Sequence, residues 1–458
     1  MTIRPDGPTH GEFLPDEGLG GFNAPDGDDL VELGDVSCPG DEEAGVPFEE
    51  PIDDDLPELD LTLPGIDVRE RALPVRQGDL TRMLLADPLL SSEERGSFAQ
   101  FARMLAAMFH SEFFDRLCEL KELYASLDPD SDYVPLGEHT LPRQPDSDEQ
   151  FLSSFEATLF RANYRLLSLD SIKKAIAAPN ELGLTYVPNF SLFEHLKVYV
   201  RGYTQITRHC RTVRTRFRKA RVTLDAYQRM VVAIKFREDV DHGPLVRPDV
   251  VYLRMFKDVP HVDMEMHLPE QGTKVRMRWL DKAQIASPLM TGIPTMVAKY
   301  LFAASLSPVL VGGLLIAPIS AGVSSFFGYQ RSKQKHLYEM IHRLYYLTIA
   351  NNSSVLTRLI DSAEDEEYKE AILAYIFLWK HAGDNSQCWT AAELDRQIEA
   401  FLTERTGVAI NFEVGDALGK LYRLGLARHD HRGRIFATPI DEALRVLDRN
   451  WDATFRFA

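Results

Sequence analysis

Three groups of residues have types and spacings suited to chemistry. The first is basic. Arg208, Arg211, Arg214, Arg216, Arg218, Lys219 and Arg221 fall within fourteen positions, and Arg214, Arg216 and Arg218 alternate with Val213, Thr215 and Phe217. In an extended strand that alternation sets three guanidinium groups on one face. Such a face suits anionic lipid headgroups, where each base near the surface contributes about 1 kcal/mol. It also suits an acidic segment of the chain itself or nucleic-acid phosphate, and a solvated face with scattered ion pairs is the plainer alternative. The second group is acidic: Asp361, Glu364, Asp365, Glu366, Glu367 and Glu370. Paired carboxylates or a cation site are possible roles. The preferred reading is a helix start, where acids meet free N–H groups and the positive end of the dipole. The third is His261 with His267, in phase with Asp263 and Glu265 on a predicted strand. A metal needs converging ligands with outer support, so a hydrated polar strand face is preferred.

The sequence holds no phosphate loop, no dinucleotide-binding glycine pattern after a strand, no HExxH and no GxSxG. No catalytic, cofactor-binding or metal-ligating residue is assigned, and no cofactor is expected. Cys38, Cys118, Cys210 and Cys388 are far apart and form no CxxC, which favours a reducing compartment over a disulfide framework. The N-terminus has no basic start followed by an apolar run, so no secretory signal is expected.

These groups must be carried by elements, and composition marks where the elements lie. The net charge of -18 is uneven: residues 1–60 hold 19 Asp/Glu against Arg4 alone, leaving 50 acids and 50 bases in the rest. Residues 1–60 lack apolar periodicity and read as a disordered acidic tail. Residues 61–185 read as a helical domain, with Phe98, Phe101, Leu105, Met108, Phe113 and Leu117 along one helix face and Ser91-Ser92-Glu93-Glu94 as its start. Residues 186–282 break into short, β-branched, partly alternating runs, as expected of an antiparallel β-rich domain.

Residues 300–330, between Lys299 and Arg331, contain no charged side chain. One helix of that length would be roughly 45 Å long, against a hydrocarbon core of roughly 30 Å. Pro308 and Pro318 interrupt it, and bases flank both ends alike. The reading is an apolar membrane hairpin over 283–330, inserting Leu301, Val309, Leu310, Leu314, Leu315, Ile316, Phe326 and Phe327; a pair of core helices is the alternative. A helical segment follows over 331–385. Residues 386–458 have the helix, helix, hairpin order of a winged-helix module. Acids and bases balance there, and Arg428, Arg432 and Arg434 are the bases of its hairpin, so a protein partner is preferred to DNA.

Two segments are similar to an uncharacterised family, defined by a domain of unknown function, that includes transmembrane protein 143. They are VYLRMFKDVPHVDMEMHLP (251–269) and LYYLTIANNSSVLTRLIDSAEDEEYKEAILAYIFL (344–378), with VYVRGYT (198–204) and LPVRQGDLTRMLL (73–85) as weaker matches. The resemblance runs over about 65–455. It implies a membrane protein and brings no activity and no catalytic residue.

The expected fold is thus α+β and multi-domain: a helical N-terminal part, an antiparallel β-rich middle, an apolar membrane hairpin, a helical segment and a C-terminal winged helix. The expected function is a membrane-anchored adaptor or regulatory protein, with its bulk on the cytoplasmic side (of the inner membrane in a bacterium). It would bind the lipid bilayer, through Arg214, Arg216 and Arg218 among others, and an unknown protein partner. An enzyme with a dispersed site and a membrane-tethered nucleic-acid binder are the alternatives, and the sequence leaves the oligomeric state open.

Overall fold

The structure, a computed structural model, describes residues 58–60, 70–132, 146–177, 185–187, 189–211, 219–240, 246–261, 264, 267–268, 274–276, 338, 344–381 and 389–454. Residues Asp55–Ala458 form one compact unit.

The order begins with strand β1 (Glu58–Asp60) and helices α1 (Gln77–Leu85), α2 (Ser92–Ala125) and α3 (Ser147–Arg161). Then come β2 (Arg165–Leu166), α4 (Leu169–Ala177), β3 (Thr185–Val187), β4 (Phe193–Arg211), β5 (Lys219–Phe236), β6 (Val251–Pro260) and β7 (Lys274–Arg276). After β8 (Thr348–Asn351), helix α5 (Ser353–Ile376) runs into a π-helical turn (Phe377–His381). The C-terminal part comprises α6 (Ala391–Thr406), α7 (Val414–Leu424), the hairpin β9 (Ala427–His429) and β10 (Ile435–Ala437), and α8 (Ile440–Thr454).

The main sheet runs β2-β4-β5-β6-β8 with antiparallel neighbours, and β1 pairs with β5 in parallel. Its long central pair, β4 and β5, holds register from Leu196↔Ile234 to Arg211↔Lys219. Alternation then divides the side chains. Tyr199, Val231, Ala233, Leu253 and Met255 face the helices in one core, while Val198, Val200, Met230, Val232 and Phe256 join Ile172 of α4 in a second.

On the helical side α2 starts at a capping box: Ser91 Oγ accepts from Glu94 N, and the Glu94 carboxylate accepts from Ser91 N at 2.9 Å. Phe98, Phe101, Leu105, Phe109 and Phe113 of α2 are buried, and Phe101 stacks on Tyr375 of α5 at 4.1 Å. Helix α5 is buried nearly all round from Glu366 to Ile376, as befits a helix with neighbours on every side. Helices α1, α2, α3, α6 and α7 and the sheet all touch it.

The α+β expectation holds, with helices and an antiparallel sheet. The membrane hairpin is corrected. Among the described residues no helix is long and apolar enough to cross a membrane. Helices α2 and α5, of 34 and 24 residues, have the length. Both carry several acids and bases, which are costly in a bilayer interior. The expected anchored architecture and membrane localisation fall with that finding. The stretch from Leu301 to Phe327 assigned to insertion lies outside the described residues, as do Arg214, Arg216 and Arg218.

Two local readings also change. Strand β6 stops at Pro260, and His261 begins a 3-10 turn, so His261 and His267 do not share a strand face. Helix α5 starts at Ser353, well before Glu366, so the acids at 366–370 lie mid-helix.

Candidate functional site

Mid-helix acids in a buried helix need partners, because an unpaired buried charge is costly. Glu366, Glu367 and Glu370 are 3%, 2% and 3% exposed, and Lys369 is 1% exposed. Lys369 Nζ donates to the Leu73 carbonyl at 2.7 Å and to Glu366 Oε1 at 2.8 Å. Glu366 Oε2 accepts from Leu73 N at 2.9 Å, so α5 clamps the segment before α1 through both groups of Leu73. Arg161, at the end of α3, donates to Glu367 at 2.8 Å and to Glu112 of α2 at 2.8 Å. Lys420 of α7 pairs with Glu370 and stands 3.4 Å from Glu367. Arg423 reaches Glu112 at 2.7 Å. The two bases of α7 are thus both turned onto carboxylates of α2 and α5.

Burial pushes the Glu370 carboxyl up to about 7, against the pull of Lys420 and Asn163. Burial alone would lower the Lys420 ammonium, but Glu370, Glu367 and Asp416 outweigh it and hold the group above its ordinary value. Every acid of this lattice is engaged by a cation or an N–H donor, so the lattice ties the elements together.

Asn163 links the lattice to a cavity. It sits just past α3 with φ 61, a conformation that asparagine tolerates. Its Nδ2 donates to Glu370 Oε1 at 2.9 Å and to Glu366 Oε2 at 3.3 Å. The cavity holds about 130 Å³ at the edge of β4 and is lined by Glu70, Arg71, Asn163, Arg165, Val200, Arg201, Gly202 and Tyr203. Glu70 is buried, and its two oxygens accept from Ala72 N and Tyr203 N, each at 3.0 Å. Gly202 has φ +72, and a Cβ there would lie 2.6 Å from Gln228 Oε1, so only glycine fits.

Beyond Tyr203 lies His261, which is buried against the Tyr227 ring at 4.1 Å. Its Nε2 has no hydrogen-bond partner among the described residues. Burial lowers its pKa, Arg165 adds to the effect and Asp225 opposes it. His267 packs edge-on against Phe256 at 4.8 Å. The structure therefore places both histidines among aromatic rings. A different group, Asp148, Glu194 and His195, brings ligand atoms within 4.8 Å of one another. Lys235 Nζ already pairs with Asp148 and with Glu194, the latter at 2.9 Å, and so holds the place a cation would take.

The second candidate surface is apolar. Helices α2 and α8 flank a groove of about 400 Å³ lined by Gln100, Arg103, Met104, Ala107, Met108, Leu447 and Trp451. Trp451 is 36% exposed. Arg103, at the rim, is exposed and has no ion pair among the described residues.

Residues 227–354 match the family model described as Protein of unknown function (DUF3754). The chain contains a DUF3754 domain. That agrees with the resemblance to an uncharacterised family, while the link to transmembrane protein 143 is not shown. The DUF3754 region takes in the second half of β5, all of β6, β7 and β8 and the first two residues of α5, so it includes Arg229, Lys257 and His261 but not the cavity lining. No solved structure matches the chain.

Sequence reasoning missed Glu70, Asn163, Arg165, Arg201 and Lys420. One signal was present: Arg201 interrupts the apolar run VYVRGY, and a base inside such a strand marks a place where the sheet meets something polar.

Proposed function

We propose that this chain is a non-catalytic adaptor or regulatory protein that binds a protein partner, and that the groove between α2 and α8 receives an amphipathic helix of that partner. The observation that supports this reading is the groove itself. Met104, Met108 and Trp451 leave apolar surface between two helices, over the buried Leu447, in the manner of helix-in-groove recognition. Methionine side chains adapt to varied partners, and an aromatic anchor is typical of an interface centre. Arg103 at the rim asks for an acid on the partner helix.

The test uses a synthetic amphipathic peptide with leucines at i, i+4 and i+7 and glutamates on one flank, beside a scrambled peptide of equal composition. The reading is the fluorescence difference between the parent chain and Trp451→Phe. A saturable blue shift with the patterned peptide alone, lost in Met104→Glu, is the expected result. An equal response to both peptides removes the proposal. Dimerisation of the parent that Trp451→Ala abolishes would assign the groove to a second copy of this chain and overturn it as well.

A further inference from the structure

We propose that the cavity at the β4 edge binds a compact, doubly charged oxyanion: the phosphate monoester group of a small molecule. The inference stands apart from the partner groove and rests on how charges are left over at this end of the sheet.

Three arginines face one carboxylate in the lining, and Glu70 already serves two backbone N–H groups. Arg71 reaches Glu413 at 2.9 Å in an exposed pair, which screening weakens. Arg165 and Arg201 have no carboxylate partner among the described residues. They are held in other ways. Arg165 lies over the Tyr227 ring at 5.8 Å. Arg201 lies over the Tyr164 ring at 5.1 Å and donates to the Ala162 carbonyl at 3.2 Å. Ring faces and a carbonyl fix these guanidinium groups while leaving N–H donors unused, as bidentate recognition of an oxyanion requires.

The sheet adds a second observation. Arg201 is directly opposite Arg229, and Arg229 is directly opposite Lys257. Residues opposed in register share a face, and like charges so placed destabilise the pair. This row of three cations crosses β4, β5 and β6 half-buried, and none of the three has a carboxylate partner among the described residues. The acids behind Asn163 do not relieve it: Glu366 and Glu370 are taken by Leu73, Asn163, Lys369 and Lys420. An anion in the cavity supplies the missing charge.

Size and charge narrow the ligand. A cavity of about 130 Å³ has the room of about four waters at roughly 30 Å³ each. That admits a phosphate group and leaves the rest of the molecule outside. Arg165 and Arg201, the two lining arginines without a carboxylate partner among the described residues, match the two charges of a phosphate monoester dianion rather than a single carboxylate. The walls are pre-shaped by Gly202 and Asn163 at positive φ, which lowers the ordering cost of binding.

The test is titration calorimetry of the full chain at constant ionic strength with inorganic phosphate, methyl phosphate, acetate and a phosphoserine peptide. Phosphate and methyl phosphate are expected to bind saturably at one site and acetate far more weakly. Arg201→Met and Arg165→Met should each weaken phosphate binding roughly ten- to a hundredfold, the loss of a charge-assisted contact. Arg201→Lys should retain part of it. Without phosphate, Arg201→Met should melt no lower than the parent, because it removes the opposition to Arg229; a purely structural arginine would lower the melting temperature and leave the phosphate response intact. Absence of saturable heat in the parent, or equal binding by the variants, overturns the proposal. A phosphoserine peptide binding well above methyl phosphate would overturn the small-molecule assignment.

Discussion

Glu370 is the group through which pH reaches the core of this protein. Burial lifts its carboxyl to about 7, against the ordinary 4.5 of a glutamate. Between those values the folded chain holds a proton that the unfolded chain has released. A raised acid pKa therefore adds stability at low pH that fades as pH rises from 4.5 through 7, by ~3 kcal/mol in all. The urea midpoint is expected to fall across that window and to stay nearly level in Glu370→Gln. Lys420→Met should instead steepen the fall, since it strips the buried carboxylates of their cation, and it should cost about 3–5 kcal/mol near neutral pH. Equal pH profiles for parent and Glu370→Gln would place the titration elsewhere. Little of this is legible at the level of residues. Asp361 through Glu370 read as helix-start acids because nothing nearby in sequence shows that Lys420, fifty positions away, meets Glu370.

At the scale of elements, α2 against α5 is the contact that holds the helical layer together. Phe101 is fully buried and stacks on Tyr375, while Phe114 on the same helix is 57% exposed. Phe101→Ala is expected to cost about 3–5 kcal/mol, and Phe114→Ala is expected to fall within about 0.5 kcal/mol of the parent. Similar midpoints for the two variants in denaturant would mean that the helices do not pack this way. Elements are also where the sequence speaks most clearly. The start of α2 at Ser91-Ser92-Glu93-Glu94 and its face of Phe98, Phe101, Leu105 and Phe113 follow from a local cap and a 3.6-residue period. Met108 and Leu117, read as part of that face, are only partly buried but pack against the core. The extent of strands is less legible, because it depends on partners: β5 runs unbroken for 18 residues in a region that reads as short runs.

At the scale of the whole molecule, the C-terminal elements are part of the core. Residues of α6, α7, α8 and the hairpin lie in one apolar cluster with α2 and α5. Lys420, Arg423 and the Tyr375 hydroxyl, which donates to the Thr438 carbonyl at 2.8 Å, cross that boundary. Removal of residues 389–458 is expected to abolish cooperative unfolding of what remains, because it strips α5 of its cover and leaves Glu370 without its cation. A truncated chain that melts in one sharp transition would show that the two parts are separable. The same packing bears on the helix-helix-hairpin order at 391–437. Both bases of its second helix pair with acids of the helical layer, Lys420 with Glu370 and Glu367 and Arg423 with Glu112.

Taken alone, the sequence determined those features that local physics decides: the acidic balance of residues 1–60, the capped amphipathic α2, the β-rich middle, and the absence of a known catalytic motif. Caps, periodicity and alternation depend on neighbours a few positions away, and one chain displays them. The tertiary structure alone decided which charges meet. Glu370 with Lys420, Asn163 with both acids, and Arg201 facing Arg229 and then Lys257 are contacts between distant segments, and a buried ion pair has no local signature. The membrane anchor is corrected on the same ground: among the described residues no helix is long and apolar enough to cross a membrane, because the two longest, α2 and α5, carry several acids and bases.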